Sequence, residues 1–175
     1  SEKDEELKRI KEDLERHERE SEDDVRRNEE KIRRHRRKTE EAVKEVEEEL
    51  KRLEEDVRRE GPGRDELEKA SEDMKRRLDE LRRRIEESMK ESDKHLRELE
   101  EKVRRSSRRF EEELKKLERD RDLERLRKEI REVIEKSKDL LRELRRRHEK
   151  VIEDSEDILR KLEKKIKDLV DKIRK

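Results

Sequence analysis

Cysteine, tryptophan and tyrosine are absent from this chain, and Phe110 is its one aromatic residue. Without cysteine there is no disulfide frame, no thiolate nucleophile and no sulfur-ligated metal. Without aromatic side chains there is no platform on which nucleobases could stack. An excess of either charge is missing too, since 58 Lys and Arg balance 58 Asp and Glu. That balance argues against a nucleic-acid or anionic-membrane partner, each of which selects a basic surface. No apolar run approaches the length of a membrane span, and none has the form of a signal-peptide core. The expectation is a soluble chain with no targeting signal, compatible with cytoplasmic expression.

What is present is charge: 66% of the 175 residues are charged and 23% are hydrophobic. Unpatterned, such a chain buries too little apolar surface to offset its conformational entropy and stays disordered. Here the apolar residues are strictly placed. Leu7, Ile10, Leu14, His17 and Ser21 form a stripe that recurs at Val25, Asn28, Ile32, His35 and Thr39. It recurs once more at Val43, Val46, Leu50, Leu53 and Val57, each copy displaced by 18 residues. A second series starts at Leu67, Ile85 and Val103, and a third at Leu123, Leu141 and Leu159, with the same displacement. Five positions in eighteen residues is a period of 3.6, that of an unstrained α-helix. A heptad would impose a left-handed supercoil and an eleven-residue repeat a right-handed one, whereas this spacing asks for neither. Each segment of some 55 residues would make a nearly straight rod of roughly 80 Å at about 1.5 Å per residue.

Two interruptions divide the chain. Gly61-Pro62-Gly63 contains every glycine and proline in the sequence. Proline breaks the helical ladder and glycine admits left-handed backbone, so a turn is expected there. Asp65 with Glu68 has capping-box spacing for the following helix, as does Ser1 with Asp4 for the first. The second interruption has no glycine and shows only as a phase break. After Val103, Ser107, Phe110, Leu114 and Leu117, a continued stripe would meet Arg121, Arg125 and Lys128. Apolar residues resume instead at Leu123, Leu126 and Ile130. A slip of two residues rotates the apolar face by roughly 200°, which places a tight turn at Asp120-Arg121-Asp122 with an aspartate capping the third helix.

The expected fold is all-α: a single-chain antiparallel up-down-up three-helix bundle, long and nearly untwisted. Its helices would cover about 2–60, 64–119 and 122–174, with turns at 61–63 and 120–122, in one domain over 1–175. Stripe residues of the first two helices pair when their numbers add to 124, and those of the last two when they add to 240. Layers such as Leu7/Leu117/Leu123 and Val25/Leu99/Leu141 result. A narrow stripe on each helix suits a three-helix core and leaves no second apolar face for an obligate partner.

The few neutral polar residues fall almost entirely on the stripes. The layers gather His17, Ser21, Ser107 and Ser137, with Ser106 adjacent. They gather a second group of Asn28, His35, Thr39, Ser92, His148 and Ser155, with Ser88 and His95 at its edge. Buried polar groups are tolerated when they satisfy one another, and their expected work is to fix register at some cost in stability. Taken together, the 18-residue repeat, the surface of Glu, Lys, Arg and Asp, the absence of Gln, Tyr, Trp and Cys, and the His/Ser/Asn core clusters resemble de novo parametric helical bundles with built-in hydrogen-bond networks. The resemblance covers the whole chain and implies a structural scaffold with no biological activity. This chain departs from that class in its scarcity of surface alanine and in a second turn that lacks glycine.

Sharper chemistry finds little support in the residue pattern. Zinc needs three or four converging ligands, and no His-x-x-His or Glu-x-x-His pair lies on the core faces, so neither metal nor cofactor is expected. Ser and His in one layer resemble a nucleophile and base, but no oxyanion hole or cleft accompanies them, so no enzyme is expected. The basic runs Arg33-Arg34-His35-Arg36-Arg37-Lys38 and Arg145-Arg146-Arg147 are flanked by Glu29, Glu30, Glu40, Glu41, Glu143 and Glu149, which neutralise them. Buried imidazoles without an acid partner favour the neutral form, which makes acid sensitivity a second reading. A natural spectrin-like or coiled-coil spacer that binds partner helices is the rival, although natural repeats keep aromatics, Gln and Ala and drift in period. No partner is required, and a monomer is expected. If Asp120 stayed helical, two chains could instead swap segments into a dimer.

Overall fold

A computed structural model describes residues 1–59 and 63–175. Helix α1 spans Glu2–Arg59, α2 spans Arg64–Leu117 and α3 spans Glu124–Arg174. A 3-10 turn at Arg121–Leu123 leads into α3. The described residues contain no strand, and the chain is an all-α three-helix bundle. Gly61 and Pro62, two of the three residues expected to make the first turn, lie outside the described residues. Gly63 is non-helical, and its carbonyl accepts from the Leu67 N–H at 3.1 Å.

The helix starts follow from side-chain chemistry near each end. The Ser1 hydroxyl accepts from the Asp4 N–H at 3.4 Å, and Glu2, Asp4 and Glu5 complement the positive end of the α1 dipole. Asp65 does not cap α2. It is the second helical residue, so its carboxylate acts on the dipole instead, together with Glu66. Arg58 and Arg59 close α1 and Lys115 and Lys116 close α2, at the negative ends of their dipoles.

Packing divides the chain into two compact units, residues 1–31 with 93–148 and residues 32–92 with 149–175. Each takes one stretch of every helix. In the first unit Lys136 lies 2.9 Å from Glu18, and Arg147 lies 3.3 Å from Glu29, so the stretches of α1 and α3 run the same way. Arg145 meets Asp93 at 2.6 Å and Lys138 meets Glu111 at 3.8 Å, the numbers running opposite ways, so α2 is antiparallel to both. The core of this unit joins Ile10 and Leu14 of α1, Phe110 and Leu117 of α2, and Leu126, Ile130 and Ile134 of α3. In α3 the buried member of the expected Val133 position is Ile134, with Val133 only half-buried. Neighbouring apolar residues widen the α3 stripe and turn its centre slightly.

In the second unit Arg36 meets Asp154 at 2.9 Å; His35 and Glu49 of α1 meet Ser88 and Arg77 of α2 in reversed order, and Arg64 and Arg82 of α2 likewise meet Arg174 and Glu163 of α3, so α2 is again antiparallel to both. Its core runs from Val43, Leu50 and Leu53 through Met74 and Leu81 to Leu162, Ile166 and Ile173. No large apolar side chain is exposed among the described residues of either unit. The described helices include none long and apolar enough to cross a membrane.

The turn between α2 and α3 is built without glycine. The Asp120 N–H donates to the Leu117 carbonyl at 3.0 Å, and Asp120 then takes extended backbone with φ −115° and ψ 112°. Its carboxylate caps the 3-10 turn by accepting from the Asp122 N–H at 3.1 Å, and it also pairs with Lys3. Arg121 and Asp122 therefore already belong to the helical entry, and the reversal itself occupies residues 118–120. A glycine ordinarily lets the chain fold back onto the last carbonyls of a helix. Arg127 does this work from inside α3. Its guanidinium donates to the Leu117 carbonyl at 2.6 Å and to the Asp120 carbonyl at 2.7 Å, with 9% of the residue exposed. The cation also faces the negative end of the α2 dipole. Beyond the turn Leu126 and Ile130 are buried, whereas Arg121, Arg125 and Lys128 are exposed.

Arg127→Met keeps the aliphatic stem and removes both bonds. In urea unfolding it is expected to cost about 1–3 kcal/mol, against no more than about 0.5 kcal/mol for Arg125→Met on the exposed face. A loss no larger than that of Arg125→Met would mean that water satisfies the two carbonyls equally well.

Candidate functional site

The polar residues on the stripes are where the core departs from plain hydrophobic packing. In the first unit His17 is 7% exposed, and its Nε2 lies 3.2 Å from the Ser137 hydroxyl on α3. The Ser137 hydroxyl also lies 2.9 Å from the Val133 carbonyl of its own helix, so its one proton goes to that carbonyl or to the imidazole, according to the His17 tautomer. The imidazole also packs on Phe110 of α2, with ring centroids 5.2 Å apart and planes tilted by 60°. Ser21 is buried nearby in the sequence, and Ser106 is half-buried. Ser107 is 5% exposed, and its hydroxyl has no hydrogen-bond partner.

Asn28, His95 and His148 belong to the same unit. Asn28 is half-buried, and its amide donates to the Asp24 carbonyl of its own helix at 3.0 Å. His148 is buried, whereas His95 is half-buried with Nδ1 3.9 Å from Glu98. Near them, Arg145 is held between Asp93, at 2.6 Å, and Glu100. The Arg145 hydrogen bond holds the Asp93 carboxyl below the usual carboxylate range, with Arg97 and His148 adding to the effect against some burial. In the sequence Arg145 is one of three residues in a basic run. Its two acidic partners are on α2, far away in sequence, which is why no local pattern betrays the triad.

In the second unit His35 and Thr39 are buried, and Ser88 and Ser92 are half-buried. His35 Nδ1 hydrogen-bonds the Ser88 hydroxyl across the α1–α2 interface. Ser155 is buried but donates to the Val151 carbonyl one turn back, at 2.8 Å. Burial on a stripe therefore sorts these residues into two kinds. His17, Ser137, His35 and Ser88 bridge helices, whereas Asn28 and Ser155 spend their protons on their own helix. The basic runs are paired where described in detail: Arg36 with Glu40 and Asp154, Arg146 with Glu143, and Arg147 with Glu29 and Glu143. No group of three or more His, Asp or Glu among the described residues is placed to hold a metal ion.

Burial pushes the His17 pKa below its ordinary 6.5, and Arg109 pushes it the same way, while Glu20 and Glu18 oppose. Below 6.5 the unfolded chain takes a proton that folded His17 refuses. The resulting stability is thus present above that pH and is lost as pH falls through the folded value. Urea midpoints should decline across that window in the native chain and less steeply in His17→Leu; parallel declines would remove His17 as a cause. Ser107→Ala removes an unsatisfied hydroxyl and adds a better helix former. It should leave thermal stability unchanged or raise it, by up to about 1 kcal/mol. Ser137→Ala, which leaves His17 Nε2 without its partner, should lower it.

No protein family matches the chain, and neither does any curated protein. Among solved structures it is similar to a chain described as a computationally designed three helix bundle. The two are 16% identical, with a TM-score of 0.47, over 95% of this chain and 83% of the other.

Proposed function

We propose that the chain is a designed structural scaffold, with no natural biochemical task, whose buried His/Ser bonds specify how its helices register. The observation that carries this reading is the His17–Ser137 bond, made between two buried side chains of different helices. A hydrogen bond of that kind inside an apolar core penalises any slip of α3 against α1, because a slipped pairing leaves both groups unsatisfied. His35 with Ser88 supports the same role between α1 and α2. The 18-residue spacing supports helices without supercoil.

Hydrolytic chemistry would need an oriented acid and an oxyanion hole beside a nucleophile and base, whereas His17 and Ser137 lie in the core, 7% and 4% exposed. A scaffold of this kind needs no cofactor, nucleic acid or membrane, and it works as a monomer.

The test replaces both pairs by apolar residues: His17→Leu, Ser137→Ala, His35→Leu and Ser88→Ala together. The expected variant is as stable as the native chain or more so, yet gives multiple amide resonance sets or a mixture of association states. A variant with one resonance set and one mass would remove register specification from the reading.

A further inference from the structure

A groove of about 320 Å³ lies between α1 and α2 of the first unit, beside the His17 ring. For scale, a closed apolar cavity of roughly 150 Å³ is enough to hold benzene. Ile10, His17 and Phe110 line the groove at the level of the core, and each is more than nine-tenths buried. Arg9, Arg16 and Arg109 alternate with Glu6, Asp13, Glu20 and Glu113 around them, so no one sign of charge prevails.

We infer that this groove binds small neutral aromatic molecules carrying one hydroxyl group, with phenol as the simplest member of the class. Two observations select that chemistry. The imidazole Nε2 is engaged by Ser137, and the His17 ring itself lines the groove. Its other nitrogen is a donor or an acceptor according to the tautomer, and a hydroxyl, which can accept as well as donate, meets either. The second observation is the tilted His17–Phe110 pair, which presents ring edges and faces beside Ile10. A flat aromatic ring packs there in the offset or edge-to-face arrangements that such pairs favour. The mixed rim disfavours an ion, since either sign would sit beside a like charge.

The native protein, labelled at its imidazole nitrogens and at the Ile and Phe side chains, is titrated at pH 7.5 with phenol and separately with toluene. Toluene matches phenol in size and lacks the hydroxyl. Expected are saturable shifts of His17 Nδ1, Ile10 and Phe110 with phenol, and binding of toluene weaker by about tenfold, the worth of one ordinary hydrogen bond. Equal affinity for the two ligands overturns the proposal, as do shifts that never saturate or that spread evenly over the other grooves. Ser106→Ala, at the edge of the groove, should alter phenol affinity by less than His17→Leu does; should His17→Leu fail to fold, the phenol–toluene comparison on the native chain still decides.

Discussion

Five positions in every eighteen residues form an inward stripe, most of them apolar, on a chain in which two residues in three are charged. Helix alone puts those positions on one side, and only a shared interior for three such sides removes them from water. Every other feature of the chain answers to that constraint. Helix α3, whose stripe is widened by Ile134 and Val170, can face both neighbours more fully than the sequence period requires. A polar residue on a stripe is costly in the same interior unless a neighbour completes it, so each one must either find a bridge or fall back on its own helix.

The charged exterior contributes in a different currency. Pairs such as Arg104 with Glu101 or Arg76 with Asp73 are exposed i,i+3 contacts, and each is worth only a few tenths of a kcal/mol. Collectively they set opposite charges beside one another on a chain of zero net charge. The Arg145 triad with Asp93 and Glu100 differs because it is partly enclosed. There the guanidinium geometry fixes two carboxylates of α2 against α3, which ties the helices at a definite height.

Much of this was readable from residue spacing, and what was not has identifiable causes. The second turn was visible without any glycine, because the switch from Leu117 to Leu123 breaks the phase of the stripe. Its fastening was invisible: Arg127 looks like any surface arginine until the reversal brings the Leu117 carbonyl over it. Spacing placed His17 and Ser137 in one group, but it could not say that Asn28 and Ser155 would turn to backbone carbonyls four residues earlier. Those short side chains can reach that carbonyl from any helical position, so register arithmetic is silent about their choice. Nor could it foresee that Ser107, on an equally good stripe position, would keep an unpartnered hydroxyl. The capping reading of Asp65 failed for a similar reason, since α2 begins one residue earlier, at Arg64.

Arg127 also sets an order of events. The donor that fastens the turn stands ten residues after the first carbonyl it holds and seven after the second. It reaches them only once the opening turns of α3 are wound, whereas a glycine-based reversal can close before the next helix nucleates. Closure of this corner therefore follows the first turns of α3 instead of seeding them, and the shape of the second turn depends on the helix that comes after it.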